Sequence, residues 1–229
     1  MSQKEKKNIP RDRLLDEAEA LFAEKGYTAV SVREIIAAAD CNVASIHYYF
    51  GNKQNLYLEV FRERWIPRAQ RVHEHFRELM GGQDPSSLTE VVKSLALAFL
   101  EGPLSDEERR RHHQLMAREM ARPTEAFSLV AEEVTRPFFT RLAEIMRPFM
   151  PAELTQEQVM LNILCIFSMV LYFNFARVAV SRLTGREYDE AFKAHLVEHL
   201  IGFSLAGLGN SHLLNDKTEQ AEFQVRADM

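Results

Sequence analysis

The sequence predicts an all-α protein: a small three-helix head, a long linking helix and a helical body. Three observations carry that expectation. Apolar residues recur at helical spacing along most of the chain, and no alternating strand pattern of any length appears. A hydroxyl residue is followed three positions on by Glu or Gln at Ser31/Glu34, Ser87/Glu90, Ser105/Glu108 and Thr155/Gln158, the spacing of helix-starting capping boxes. Glycine and proline punctuation, such as Gly26 and the run GGQDPS, falls between the periodic segments.

Taken in order, the basic opening carries Lys4, Lys6, Lys7, Arg11 and Arg13 and is expected to be disordered up to about Pro10. Leu14, Leu15, Ala18, Leu21 and Phe22 then give a supporting helix one apolar face, with Gly26 as its stop. From Ser31 to Lys53 the chain reads as helix, tight turn and helix. Val32, Ile35, Ile36 and Ala39 line one side of the first. Asp40 is a turn residue that tolerates a left-handed backbone, and Asn42 caps the second helix. In that second helix Ile46 and Phe50 share a buried side, leaving Val43, Ala44, Ser45, His47 and Tyr48 outward, as suits insertion into a major groove. A linking helix follows from about Lys53 towards Met80, with a kink expected at Pro67. Body helices are expected near 87–101, 105–121, 124–149, 155–183 and 188–208, with a bend at Pro137 or Pro148 and a polar tail after about Asn210. The head is assigned to residues 1–55 and the body to 56–229.

Composition narrows the function classes. A chain of 229 residues with a net charge of −5 is not a general polyanion binder, although positive charge kept local is compatible with it. Cys41 and Cys165 stand in unlike contexts, so no structural disulfide is expected and a reducing cytosol fits. The charged start lacks the apolar core of a secretory leader. The long apolar run from Val159 to Val180 is broken by Asn162, Ser168, Asn174 and Arg177, which counts against a membrane span. A cytoplasmic protein with no membrane partner is expected.

The block GYTAVSVREIIAAADCNVASIHYYFGNKQNLYLEVF, residues 26–61, resembles the DNA-binding domain of the tetracycline-repressor-like (TetR) family of bacterial regulators. Gly26, Tyr27, Ser31, Ile35, Ala39, Ala44, Ile46, Tyr49, Phe50, Lys53 and Leu56 match the family's pattern. Asp40 replaces a turn glycine, Cys41 and Asn42 replace Val-Ser, and His47 replaces a tyrosine. The resemblance implies a helix-turn-helix head that binds operator DNA as a homodimer, and a ligand-binding and dimerisation body. Base edges fall to Val43, Ala44, Ser45 and His47, and phosphates to Tyr48, Tyr49, Lys53, Thr28 and Ser31, with Asn42 beside them.

The family's dimer contact comes from its last two long helices. Two stripes fit that role here: Leu161, Leu164, Cys165, Ser168 and Tyr172, and Gly202, Leu205, Ala206 and Gly209. Large adaptable apolar groups suit a pocket for a hydrophobic or aromatic effector: Met116, Met120, Phe127, Phe138, Phe139, Met169, Tyr172 and Phe173. Arg177, Asn174 and His113 are candidate orienting groups. The same residue types at helical spacing also build ordinary cores.

No metal site or cofactor is expected. His112 and His113 are adjacent, and His73 and His75 lie two apart, so neither pair shares a helix face. No nucleophile elbow, phosphate-binding glycine loop or zinc-protease motif is present, which argues against an enzyme. The alternative to a regulator is a helical small-molecule-binding protein that does not read DNA.

Overall fold

The computed structural model describes residues 3–82 and 84–209, with side chains for 10–82 and 84–208. The helices are α1 (Gln3–Lys25), α2 (Val32–Ala38), α3 (Val43–Tyr49), α4 (Lys53–Val60), α5 (Ile66–Leu79), α6 (Leu88–Leu100), α7 (Asp106–Ala121) and α8 (Glu125–Val130), followed by α9 (Arg136–Met146), α10 (Gln156–Phe175), α11 (Arg177–Thr184) and α12 (Glu190–Gly209). Among the described residues there is no strand, in agreement with the all-α expectation.

Several elements differ from their expected form for local physical reasons. The opening is helical from Gln3, not disordered; its Gln, Lys and Glu residues are good helix formers. The side chains of Lys4, Lys6 and Lys7, like the polar tail after Asn210, lie outside the described residues. Pro67 and Pro137 each follow a five-residue π-helical turn, at Phe61–Trp65 and Ala131–Thr135. A proline has no N–H for the carbonyl four residues back, and the wider turn absorbs that loss while the chain stays helical on both sides. The carbonyl of Glu63, left without the proline's N–H, accepts from Arg64 Nη1 at 3.2 Å. The expected helix 155–183 is broken at Ala176, whose ψ of 24° leaves the helical range and separates α10 from α11. Ser87 caps α6, but Glu90 bonds the N–H and hydroxyl of Ser86 instead of returning to Ser87.

Compactness divides the chain into two units, Met1–Glu74 with Pro103–Phe138, and His75–Gly102 with Phe139–Met229. This division does not coincide with the functional one drawn at 55/56, because α7 and α8 belong with the head. In the first unit α1 packs on α2, α3, α4 and α7, and α8 packs on α4 and α7. Leu14, Leu15, Ala18 and Phe22 of α1 share one core with Ile35, Ile46, Leu56, Phe61, Leu115, Ala126 and Val130. Each large apolar side chain buried there contributes about 1.5–3 kcal/mol.

Two buried carboxylates tie this unit together. Glu19 is gripped by Arg68, through a second contact at 3.2 Å, and by Arg111 at 3.4 Å. Glu119, only 1% exposed, accepts the Tyr57 hydroxyl at 2.7 Å, the Thr124 N–H at 2.9 Å and the Phe127 N–H at 3.1 Å. It therefore joins α4 to α7 and also satisfies donors at the start of α8. Burial, and then this bond to Glu119, push the Tyr57 phenol far above its ordinary pKa, so it remains a donor. Trp65 stacks on His112 at 4.2 Å and donates to its carbonyl at 3.0 Å. Burial holds that imidazole neutral by lowering its pKa.

In the second unit α6, α10 and α12 pack on one another around Leu95, Ile163, Val170, Leu196 and Leu200. Helix α10 is long and apolar enough to cross a membrane by length and composition, yet only 28% of its most apolar window is buried.

Removing the Glu119 carboxylate is expected to cost more than removing its tyrosine partner, because truncation strands four donors, the Thr124 hydroxyl included, instead of one group. Glu119→Ala should lower the unfolding free energy by about 3 kcal/mol and Tyr57→Phe by about 1 kcal/mol in urea denaturation. The reverse order would refute the assignment of Glu119 as the shared acceptor.

Candidate nucleic-acid interface

The interface is built from three short caps. Ser31 accepts from the Glu34 N–H at 3.2 Å, while Glu34 accepts the Ser31 N–H at 2.8 Å and meets Lys25 at 3.2 Å. The backbone hydrogen bond from Ser31 is the main cause that pulls the Glu34 carboxyl from 4.5 down to about 2. Asp40 turns the chain at a φ of 48°, as expected for the residue standing in place of glycine. Asn42 then accepts from the Ser45 N–H at 3.0 Å and from the Ser45 hydroxyl at 3.1 Å, starting α3. The third cap is Asn52, which accepts from the Asn55 N–H at 2.8 Å to start α4.

The fold places α3 with Ile46 and Phe50 buried on the core. Val43, Ala44, His47 and Tyr48 are exposed, Tyr48 by 68%, and Ser45 and Tyr49 are half-buried. Tyr49 packs against the core and meets Tyr48 edge-on at 4.9 Å. Gly51 ends α3 in the left-handed region, φ 78°, with its N–H on the carbonyls of Ile46 and His47. Only glycine adopts that conformation without a Cβ penalty. His47 Nδ1 lies 2.8 Å from the Gly51 carbonyl. Thr28 and Ser31 are exposed at the start of α2. The Ser31 N–H is engaged by Glu34, and the Ser31 hydroxyl also helps to hold that carboxylate. Lys53 stands 4.3 Å over the Tyr27 ring, and partial loss of water lowers its pKa.

Among the described residues, much of the first unit's positive charge is paired internally. Arg11 meets Glu59 and Glu63, Arg13 meets Asp40, Lys25 meets Glu34, Arg62 meets Glu59, Arg64 meets Asp16, and Arg68 meets Glu19. Sequence reasoning had no signal for the pairs that reach from α1 to α4 and α5. The link from His47 to Gly51 was readable, since four residues separate a histidine from the glycine that ends its helix.

The residues expected to line an effector pocket are divided between the units. In the first, Met116 packs against the core, Met120 is 67% exposed, Phe127 is exposed, and Phe138 is buried on His73 at 3.9 Å. In the second, Phe139 and Phe99 each meet Phe167 edge-on, at 4.9 and 5.1 Å. Met169 is half-buried, while Tyr172 contacts Phe173 at 5.6 Å but is itself 53% exposed. Met116 is thus half-buried against the core, while Met120 and Tyr172 are exposed; helical spacing alone does not separate these environments. Arg177 donates to the Leu100 carbonyl at 2.8 Å and to Asn174 at 3.1 Å, capping the end of α6. Its place there is explained by the helix's unpaired carbonyls.

Residues 14–60 match the family described as bacterial regulatory proteins, tetR family. Residues 86–208, more than half of the chain, match the C-terminal domain of the HTH-type transcriptional dual regulator CecR. The chain belongs to the TetR family of transcriptional regulators. It is 24% identical over 198 residues to the dual regulator CecR of Shigella flexneri, covering 83% of this chain and 87% of that one. It is 36% identical over 78 residues to the transcriptional repressor AcnR of Corynebacterium glutamicum, covering 33% of this chain and 42% of that one. A transcriptional regulator from Rhodococcus sp. Rha1 shares the fold with a TM-score of 0.59 at 17% identity, over 86% of this chain and 96% of that one. TetR-family membership makes the protein a DNA-binding regulator and not an enzyme.

The depressed Glu34 carboxyl gives a direct check on the capping box. Its folded pKa lies below its unfolded one, so its contribution is present above about 4.5 and is lost as pH falls towards about 2. Carboxyl-carbon NMR should place the Glu34 midpoint near 2 in the wild type. Ser31→Ala keeps the backbone N–H and removes only the hydroxyl, so the midpoint should rise part of the way towards 4.5; an unchanged midpoint would mean that the hydroxyl takes no part in holding the carboxylate.

Proposed function

We propose that this TetR-family regulator acts as a homodimer that sets one α3 into each half of a palindromic operator. It represses transcription until a hydrophobic or aromatic small molecule releases it. The observation that carries the reading is α3 itself: Ile46 and Phe50 anchor its underside while Val43, Ala44, His47 and Tyr48 stand in the open. Two-fold symmetry in the protein implies half-sites about 34–36 Å apart along the duplex. A repressing role is favoured by the name of the AcnR relative, and a cytoplasmic location follows from the target.

Dimerisation is supported by the faces the chain leaves bare. Leu161, Leu164, Cys165, Ser168 and Tyr172 of α10 are all exposed, as are Gly202, Phe203, Leu205 and Ala206 of α12. A second copy covering these stripes explains an apolar α10 better than lipid does, since Asn162, Ser168 and Asn174 interrupt it. An effector reading is supported by the aromatic trio Phe99, Phe139 and Phe167 with half-buried Met169 in the second unit. The effector must bind one body conformation better than the other to shift operator affinity. Helix α5, which carries Pro67 and runs on from the head's last turn, is the covalent route for that shift.

Two substitutions test separate halves of the proposal. Ala44→Glu puts a carboxylate on the exposed face of α3 and should weaken binding to a selected operator about a hundredfold or more, with unchanged helical circular dichroism. Leu164→Glu should shift the protein from dimer to monomer in sedimentation velocity. Full operator affinity in the first variant would sink the α3 assignment, and an intact dimer in the second would sink the α10 interface.

A further inference from the structure

We infer that His47 is a specificity-determining residue that accepts a hydrogen bond from a base amino group, so that it selects adenine or cytosine at one position of each half-site. The inference rests on the reading of α3 as the helix that enters the major groove. Its basis is the 2.8 Å contact between His47 Nδ1 and the Gly51 carbonyl. A carbonyl oxygen only accepts, so Nδ1 must carry the hydrogen. In a neutral ring Nε2 is then an acceptor. His47 is exposed, and no other hydrogen bond to it is found among the described residues.

Gly51 makes this arrangement durable. The left-handed turn at φ 78° ends α3 and sets the glycine carbonyl beside a ring four residues earlier. The tautomer is therefore fixed by backbone geometry before any DNA arrives.

The chemistry of the duplex does the rest. Phosphate oxygens only accept, and an acceptor nitrogen has nothing to offer them, which removes the backbone as a direct partner. In the major groove guanine shows N7 and O6 and thymine shows O4, all acceptors. Only adenine N6 and cytosine N4 present donors. The rest of α3 agrees with this: it contains no lysine or arginine, the usual partners of guanine. The Ser45 hydroxyl hydrogen is engaged by Asn42 at 3.1 Å, leaving that oxygen to accept as well.

The test begins with the free protein. Long-range proton–nitrogen NMR at mildly alkaline pH should show His47 protonated on Nδ1 and bare on Nε2; the opposite tautomer overturns the inference. Duplex selection with wild type and His47→Ala follows. Wild type should enrich adenine or cytosine symmetrically at one position, and His47→Ala should lose preference there alone, with about tenfold weaker binding to the wild-type consensus. Replacing the amino group at that base by hydrogen should cost wild type the same tenfold and cost His47→Ala nothing further. Guanine or thymine at the relaxed position, no relaxed position, or undiminished binding to the deaminated base each overturns the inference while leaving the head as a DNA reader. Enrichment of no palindrome by wild type overturns both.

Discussion

Two buried carboxylates organise the first unit, and Glu119 is the one that reaches α4. Glu119 is buried, and a buried charge without partners costs several kcal/mol, so its place in the fold depends on every donor around it. Those donors come from two elements: Tyr57 on α4, and Thr124 and Phe127 at the start of α8. Because α4 follows directly on the turn that ends α3, this group, together with the Gln54–Glu125 bond at 2.8 Å, refers the position of α3 to α7 and α8. Apolar burial holds α1 to α4 without direction, whereas the Tyr57–Glu119 bond fixes which way α4 faces.

The parts of the head that could be read from sequence were those whose cause is local. The Ser31–Glu34 box, the left-handed Asp40, the Asn42 cap and the buried pair Ile46 and Phe50 each depend on residues within a few positions of one another. The exposure of Val43, Ala44 and His47 followed from the same spacing. What escaped is what depends on distant partners. Glu119 lies 62 residues from Tyr57, and nothing in either stretch announces the other. Pro67 and Pro137 announced a disturbance but not its form, since a kink and a π turn both accommodate a missing N–H.

The body shows the limit of periodicity more sharply. Met116, Met120 and Tyr172 all sit at apolar helical positions, yet one is half-buried against the core and two are exposed. Arg177 looked like a group to orient a ligand because it is a charge in an apolar run. Its guanidinium also supplies a donor to the end of α6, a need that only the tertiary arrangement creates. Conversely, the stripe on α10 was legible because its residues repeat on one face, and that face is the one left bare.

The internal pairing of the head's cations has a consequence for how the regulator would find its target. Non-specific affinity for DNA scales with the number of phosphates neutralised, and it is what permits sliding along the duplex. With Arg11, Arg13, Lys25, Arg62, Arg64 and Arg68 each facing a carboxylate of the same unit, these six charges are partly neutralised before any phosphate is met. A regulator built this way would gain less from the backbone at those six positions and would rest more on fit at the base edges.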